Sequence, residues 1–371
     1  MLYIITLMSS SLITYLTDLI AIDTSRTEIQ AMCYIESCIK KLDLPWLTYT
    51  RQDIGIDGRY NLIVSNTTNP QVILAWHVDT VAWTDLSQLK AHIGWDQIYG
   101  RWAVDMKAGV ALIIEMIPRM VRLQKPFFAL FYCDEEYYFQ GMKTFVTEYK
   151  DMIQPYLTII TEPTDNQIQC HLRGITEFRL TVASSAQHAA VASPSDNIIR
   201  SLVMSMDRFV DTLRSYDMTP MQTNLNIAEI SWGTYQSDEY ITQANMSPNR
   251  ASVLCDIRLW SQIDQASFDR LLKSSLTDFS CTLVDYTTHF RYPAMYQAWC
   301  DEKYHNLTGI QTSMWLGYSD IQMIQSTLWW DCLLYGPWPC VQAHRDDEYV
   351  SLDSMKIALQ DLEKIITLSN I

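Results

Sequence analysis

Short apolar runs that alternate with helical patterns constrain the first half of this chain most strongly. Four runs are apolar or β-branched nearly throughout, as is typical of strands buried on both faces: Leu62–Ser65, Gln71–Trp76, Phe127–Cys133 and Tyr156–Thr161. Helical spacing of apolar residues occupies the segments between or before them: Thr27–Leu42, Met106–Leu123 and Met142–Lys150. This alternation predicts an α/β domain with a mostly parallel sheet flanked by helices.

The pattern changes after Gly174. Alternating, half-buried strands are predicted at Glu177–Ser184, Leu225–Ser231, Ser252–Leu259 and Cys281–Tyr286, with helices at Asn197–Leu213 and Phe268–Leu276. The earlier style returns near Phe290 and ends in a helix, Leu352–Leu368. The sequence therefore predicts an α/β domain (residues 1–173 and 288–371) interrupted by an inserted α+β domain (residues 174–287).

Charge and cysteine content limit the partners and the compartment. The 371 residues include 27 Lys and Arg against 42 Asp and Glu, a formal net charge of −15, which argues against binding to nucleic acid or to anionic lipid. No apolar run reaches the roughly 20 residues of a membrane span, and Met1–Met8 is predicted to begin the first helix. Nine scattered cysteines without a C-x-x-C pair indicate reduced thiols in a cytoplasmic protein.

Imidazole and carboxylate side chains stand where the predicted strands end. His77 and Asp79 follow the strand Gln71–Trp76, and the two-residue period of a strand places both on one face, so that Asp79 can orient His77. Four further segments carry such groups: Asp105 at the opening of a helix, Asp134-Glu135-Glu136 after Cys133, Glu162 after Thr161, and His344 in the loop between Gly336 and Asp347.

The position of these groups favours a metal site. Open α/β sheets bind ligands at the carboxyl ends of their strands. Two His and three carboxylates suit Zn²⁺ or a similar divalent ion, and an odd carboxylate can bridge two ions. Each segment alone also fits a site without metal: a simple His–Asp pair, a solvated acidic loop, or a Glu-Pro strand terminator. Their convergence in one sheet is what points to a metal hydrolase.

Seven segments also match the motifs of a known family, in order. Five are AWHVDTV (75–81), YGRWAVDMKAG (99–109), CDEEYYFQG (133–141), TEPT (161–164) and AHRDDEYV (343–350); two more are QHAAVASPSDNI (187–198) and NMSPNRASVLCDIR (245–258). The first five resemble the metal-binding segments of the dizinc deacylase and peptidase family, which includes acetylornithine deacetylase, succinyl-diaminopimelate desuccinylase, aminoacylase and carboxypeptidase G. The last two resemble its inserted dimerisation domain.

The resemblance implies a role for each metal-site residue. His77 and Glu162 would bind one metal, Glu136 and His344 the other, and Asp105 would bridge them, while Asp79 orients His77. Two such ions, zinc first with cobalt or manganese as alternatives, would acidify a water and polarise an amide carbonyl. Glu135 would be the general base that takes the proton of this water.

Three residues of the inserted domain complete the implied site. His188 would reach the active site of the partner subunit in a homodimer and stabilise the oxyanion. Asn245 and Arg258 are candidates for holding a substrate carboxylate, although Arg258 equally fits a structural ion pair.

The resemblance therefore implies an amidohydrolase that removes the acyl group from an N-acyl amino acid by a metal-bound hydroxide. Within the family, residues 342–350 are nearest to acetylornithine deacetylases. A di- or aminopeptidase is the alternative enzyme, and a non-catalytic metal-binding homologue is the alternative of another class.

Tryptophan stands at several positions where the family motifs carry glycine. The chain has 11 Gly and 12 Trp, whereas a usual ~7% of Gly would give about 26. The positions are Trp76, Trp102, Trp232 and Trp338, with Trp83 and Trp330 as further cases. We hypothesise that the source organism decodes UGA as glycine and that this sequence was translated with UGA as tryptophan. The alternative is an enzyme whose site is lined with genuine tryptophans.

Overall fold

The computed structural model describes residues 2–193, 196–219, 221–236, 239–328 and 331–369. The chain divides into two compact units. After the roles that the family resemblance implies, we name the first, residues 1–170, 297–314 and 323–371, the catalytic unit, and the second, residues 171–296 and 315–322, the lid unit. The segment predicted as an inserted domain, residues 174–287, falls within the lid unit.

The first half of the chain contains, in order, α1 Leu2–Ile20, α2 Ile29–Lys41, β1 Thr48–Asp53, β2 Tyr60–Ser65, β3 Val72–His77, β4 His92–Ile93, β5 Gln97–Tyr99, α3 Ala108–Arg122, β6 Phe127–Tyr132, α4 Gln140–Tyr149, β7 Leu157–Ile160 and β8 Ile168–Leu172. The middle of the chain contains β9 Gly174–Ala183, α5 Ile198–Arg214, β10 Asn224–Gln236, β11 Glu239–Ile241, β12 Arg250–Leu259, α6 Gln265–Asp278, β13 Thr282–Tyr292 and β14 Met295–Tyr296. The chain then forms α7 Ala298–Thr308, β15 Thr312–Trp315, α8 Ile321–Leu328, β16 Asp331–Leu334, β17 Tyr349–Ser351 and α9 Leu352–Leu368.

The largest sheet is mixed, with a parallel centre as predicted. Its strand order begins β1-β2-β6-β3-β7-β16-β8, and β6, β3, β7 and β16 run parallel to their neighbours within that group. Every residue of β3, β6 and β7 is buried, which explains why these strands are continuously apolar in sequence. The four parallel strands therefore deliver their carboxyl ends to one edge of the sheet.

The lid unit contains a five-stranded antiparallel sheet in the order β11-β10-β12-β9-β13. Alternate residues of β9 and β12 pack with α5 and α6 into one core, for example Phe178, Val253 and Phe209. Each helix begins at a side-chain cap: Asn197 accepts from the N–H of Arg200, and Asp264 from that of Ser267.

A three-stranded sheet, β17-β5-β4, lies in the catalytic unit and matters for the site. Tyr349 pairs with Tyr99 and Ser351 with Gln97 in antiparallel register. Glu348 stands just before β17 and Gly100 just after β5, and the N–H of Gly100 donates to the carbonyl of Glu348 at 3.0 Å. This ladder brings the C-terminal loop alongside the turn that carries Asp105.

The prediction that Asp105 opens a helix was wrong. Helix α3 begins at Ala108, and Asp105 lies in a preceding wide turn, Ala103–Lys107, with non-helical φ of −118° and ψ of 87°. The reason is that the N–H groups of this turn find acceptors outside the helix, as described below.

Two further findings concern the chain as a whole. All nine cysteines are free. Within the described ranges, no helix combines the length and the apolar character that crossing a membrane requires.

Candidate metal centre

His77 is the last residue of β3, and both of its ring nitrogens are engaged. The side chain is 2% exposed. Nδ1 donates to the backbone carbonyl of Asp79 at 2.9 Å, and Nε2 lies 3.2 Å from Oδ1 of Asp105. The bond at Nδ1 fixes the ring and directs Nε2 into the site, which is the arrangement of metal-ligating histidines.

Asp79 connects the ends of two strands. Its Oδ1 accepts from the N–H of Glu135 at 3.0 Å and its Oδ2 from that of Glu136 at 2.8 Å, while Oδ1 lies 3.7 Å from Nδ1 of His77. Burial raises the pKa of Asp79, but the His77 imidazole and the two N–H groups outweigh burial and lower the pKa overall. One buried carboxylate thus positions the residues after β3 and those after β6.

Asp105 lies between the two histidines. Its Oδ1 is 3.2 Å from Nε2 of His77, and its Oδ2 is 3.6 Å from Nε2 of His344. Each carboxylate oxygen therefore faces a different imidazole, which is the geometry expected of a carboxylate that bridges two cations.

His344 comes from the loop after β16 and closes the site from the other side. Its Nε2 is 3.3 Å from Oε1 of Glu136, its side chain is 47% exposed, and its φ is +62°. The loop places His344 by a left-handed backbone turn rather than by a strand, so its geometry depends on what holds the loop.

The described residues contain two groups of possible metal ligands whose donor atoms lie within 4.8 Å of one another: His77, Glu135 and Glu136, and Asp105, Glu136 and His344. The two groups share Glu136. Glu162 stands two residues beyond β7 and is 4% exposed, and it belongs to neither group.

Negative charge is concentrated in this centre. Burial lowers the pKa of His77, but hydrogen bonds to Asp105 and Asp79 hold it well above its usual value. The hydrogen bond to Glu136 raises the pKa of His344, and burial raises that of Glu136. The carboxylates therefore favour an added positive charge, which a proton or a divalent cation can supply.

The donor set fits divalent cations. Imidazole nitrogens and carboxylate oxygens are the ligands that Zn²⁺, Co²⁺ and Mn²⁺ accept. The carboxylates around Asp105 carry more negative charge than a single divalent cation would neutralise. The predicted ligands His77, Asp105, Glu136 and His344 are thus brought together, along with the predicted base Glu135.

Glu348 is a residue that the sequence did not single out. It is 1% exposed, and its Oε1 accepts from the N–H of Val104 at 2.7 Å and from that of Asp105 at 3.1 Å. Burial raises its pKa to about 7. In sequence it is the last of three acids in Asp346-Asp347-Glu348, and nothing there separates it from the two exposed ones.

The three candidates of the lid unit fall into two places. His188 is exposed and forms an isolated β-bridge with Met246, and the N–H of Ala189 donates to the carbonyl of Asn245 at 2.8 Å. His188 and Asn245 are therefore neighbours, before the start of β12. Arg258 lies near the other end of β12 and pairs with Asp256 at 2.8 Å.

The tryptophans at motif positions differ in backbone and burial. Trp102 and Trp338 have φ of +66° and +62°, in the left-handed region that favours glycine. Trp76 is a buried residue of β3 whose Nε1 donates to the carbonyl of Met106 at 2.6 Å. Trp232 is a 42% exposed residue of β10, Trp83 donates to Asp23, and Trp330 lies outside the described residues.

Comparison with known sequences finds one family. The sequence profile of Peptidase family M20/M25/M40 matches residues 73–368. A peptidase M20 domain-containing protein of Sordaria macrospora is 24% identical over 352 residues, 87% of this chain and 73% of that protein. A putative succinyl-diaminopimelate desuccinylase of Mycobacterium tuberculosis is 27% identical over 193 residues, and an acetylornithine deacetylase of Buchnera aphidicola is 26% identical over 191. These alignments cover 51% and 47% of this chain, and the chain spans 52% and 49% of those two relatives.

Solved structures share the fold over nearly the whole chain. The aminopeptidase PepT of Bacillus cereus superposes with a TM-score of 0.75 at 16% identity, covering 98% of this chain and 99% of that one. A dinuclear metal binding peptidase of Bacillus subtilis gives 0.64 at 13% identity, covering 99% and 100%. At these identities the likeness shows the same architecture.

Proposed function

Because the chain belongs to peptidase family M20/M25/M40 and is thus a hydrolase of amide or peptide bonds, we propose that it removes the acyl group from N-acyl amino acids with two divalent cations, zinc first. The observation that carries the proposal is the Asp105 carboxylate, whose two oxygens face His77 and His344 at 3.2 and 3.6 Å. One carboxylate shared between two imidazoles is the arrangement that a two-cation site needs.

The roles of the surrounding residues follow from the contacts. His77 and Glu162 are proposed to bind one cation, and Glu136 and His344 the other. The cations would supply Lewis acidity toward an amide carbonyl and lower the pKa of a bound water. Asp79 accepts a hydrogen bond from the N–H of Glu135 and so holds Glu135 beside His77 and Glu136. From there its carboxylate can take a proton from water and pass it to the leaving amine.

The choice of an N-acyl amino acid over a peptide is supported by two relatives. The names of these relatives, succinyl-diaminopimelate desuccinylase and acetylornithine deacetylase, describe the removal of an acyl group. The aminopeptidase-like and dinuclear peptidase structures favour short peptides as the second candidate substrate.

The lid unit supports a proposed homodimer. His188 is exposed beside Asn245, so both could face a second copy of the chain or a substrate. We propose that His188 stabilises the oxyanion in the partner's site and that Asn245 holds a substrate carboxylate. Arg258 is the weaker substrate ligand, because Asp256 already pairs with it. A cytoplasmic location is proposed from the nine free cysteines.

The test combines metal content with a substrate panel. The purified protein is loaded with Zn²⁺, analysed for bound metal, and assayed against N-acetyl and N-succinyl amino acids and against di- and tripeptides. We expect two ions per chain and hydrolysis of the N-acyl amino acids. Faster cleavage of peptides would transfer the assignment to a peptidase, and two bound ions without hydrolysis of either class would leave a non-catalytic homologue.

A matched pair of variants separates catalysis from loss of structure. Glu135→Gln should retain both ions and lose hydrolysis, whereas Glu302→Gln, on an exposed part of α7, should change neither. Full activity in Glu135→Gln would remove Glu135 as the base while leaving the metal centre intact.

A further inference from the structure

We propose that Glu348 is a positioning residue that sets the geometry of Asp105 and thereby the affinity of the metal centre. This inference rests on the proposed function only in requiring that the centre binds cations. Glu348 is buried, and it touches the backbone of Asp105 rather than its carboxylate.

Two N–H groups of the turn that carries Asp105 find their acceptor outside the turn. Residues 103–107 form a wide turn, and Asp105 leaves the helical region with φ of −118°. The N–H groups of Val104 and Asp105 therefore need outside acceptors, since an unpaired buried N–H is costly. One oxygen of Glu348 accepts from both, at 2.7 and 3.1 Å.

Glu348 is held in place from the opposite direction. Its backbone carbonyl accepts from Gly100, and the next residue, Tyr349, pairs with Tyr99 in the β5–β17 ladder. The carboxylate is thus anchored to a small sheet on one side and fixes the Asp105 turn on the other. Asp105 in turn faces His77 and His344, so a shift of the turn changes both distances at once.

The second oxygen supports a role beyond filling space. Oε2 of Glu348 is buried and has no hydrogen-bond partner among the residues that the structure describes. Burial of Glu348 is compensated by the backbone N–H groups that it accepts from, and a glutamine would satisfy those of Val104 and Asp105 equally well. Acceptance from the two N–H groups, rather than bulk, is therefore what Glu348 contributes to the turn.

The experiment measures Zn²⁺ affinity by competition with a chelating indicator, independently of activity. Glu348→Ala should weaken binding by about 10–100-fold, the range for residues that orient metal ligands, and Glu348→Gln should recover part of that loss. Asp347→Asn is the matched control, because Asp347 is exposed and pairs only with Arg345 in the described contacts. It should leave affinity unchanged.

Each outcome decides the matter. Unchanged Zn²⁺ affinity in a folded Glu348→Ala, checked by circular dichroism, would overturn the inference, and Glu348→Leu, which keeps the bulk but accepts no hydrogen bond, gives the same reading if the alanine variant does not fold. A wild-type protein that binds Zn²⁺ but hydrolyses nothing would defeat the proposed function alone. A wild-type protein that binds no Zn²⁺ would defeat both.

A second inference rests on backbone geometry. We infer that glycine is the native residue at positions 46, 102 and 338. Trp46, Trp102 and Trp338 have φ of +69°, +66° and +62°, a region that bulky residues rarely adopt. Trp46 is 87% exposed, so no packing of its indole compensates for that backbone, and the indole N–H of Trp338 is buried without a partner in the described part of the chain. Trp102 is buried and its indole N–H donates to the carbonyl of Val81 at 2.9 Å, so for this residue the backbone conformation is the argument.

This criterion differs from the motif comparison and selects a set of positions that overlaps with it only at 102 and 338. It adds Trp46, which lies in no motif, and it does not select Trp76 or Trp232, which lie in strands. Peptides of the protein isolated from its source organism, sequenced by mass spectrometry, test it directly. Glycine at all three positions is expected. Tryptophan at all three, or glycine at 102 and 338 with tryptophan at 46, would overturn the backbone criterion.

Discussion

The two sides of the metal centre are built in different ways. The strand side consists of His77, the last residue of β3, together with Asp79 just after β3 and Glu135 and Glu136 in the segment after β6, and its imidazole is 2% exposed. The loop side consists of Asp105, His344 and Glu348, which lie on turns, and its imidazole is 47% exposed. The strand side is ordered by the sheet itself, whereas the loop side depends on hydrogen bonds between loops. We therefore expect mutations on the strand side to affect stability and those on the loop side to affect metal binding.

Asp105→Ala should have the largest effect, because Asp105 contacts both sides. Losing the carboxylate that we propose is shared by two cations should remove several kcal/mol of transition-state stabilisation, so hydrolysis should fall on the order of 10³-fold or more. Bound metal should fall below two ions per chain in elemental analysis. An Asp105→Ala protein with two ions and normal turnover would show that the two sides are independent sites.

The two histidines give the sharpest test of the comparison. His77→Ala should cost about 2–4 kcal/mol in the unfolding free energy of the metal-free protein, because it leaves a cavity and an uncompensated Asp79. His344→Ala should cost less than about 1 kcal/mol, since its side chain is half exposed. Urea denaturation with a chelator present measures both. Equal costs would refute the distinction between the sides.

Asp79→Asn should damage the strand side without removing a metal ligand. An amide nitrogen would face the N–H of Glu135 or Glu136, so one of the two bonds at 3.0 and 2.8 Å is lost. We expect turnover to fall by about 10–100-fold with metal content retained. If turnover is unchanged, the hydrogen bonds that Asp79 accepts do not control the position of Glu135.

The smallest effect concerns pH. In the metal-free protein the pKa of His344 is raised, so its protonated form stabilises the fold fully below an unfolded pKa of about 6.5. That contribution is lost as pH rises through the folded pKa. The difference in unfolding free energy between wild type and His344→Ala should therefore shrink from pH 6 to pH 9.

Metal binding should follow pH in the opposite sense. Protons compete with cations for His77 and His344, so apparent Zn²⁺ affinity should rise over the same pH interval. For the unfolding measurement, a difference between wild type and His344→Ala that grows with pH would mean that protonated His344 is not stabilised by the carboxylates that face it.

The contrast between the sides also explains what sequence could predict. Strands such as β6 are apolar throughout, and α9 begins and ends where its pattern predicted, with Ser351 capping Ser354. The strand-end placement of His77 and Glu136 followed from the same pattern. The family resemblance added proposed roles for the site residues, including Asp105 as the bridge, and these roles stay predictions.

The loop side could not be derived locally. The conformation of the Asp105 turn is set by Glu348, which lies 243 residues away in sequence. No local propensity records such a contact, so the turn was predicted as a helix start. Strand β1 was also missed, because Thr48–Asp53 is a polar edge strand with one buried residue.

The order of the strands in the sheet has a consequence for how the chain is made. β16 pairs with β7, yet 170 residues separate the end of β7 at Ile160 from the start of β16 at Asp331. At about 5–20 residues per second, a ribosome needs roughly 9–34 s to deliver the missing strand. During that interval one edge of β7 waits unpaired, and His344 has not yet been synthesised. The nascent protein is therefore exposed to aggregation at that edge, and the donor set of the proposed metal centre stays incomplete until residue 344 has been made.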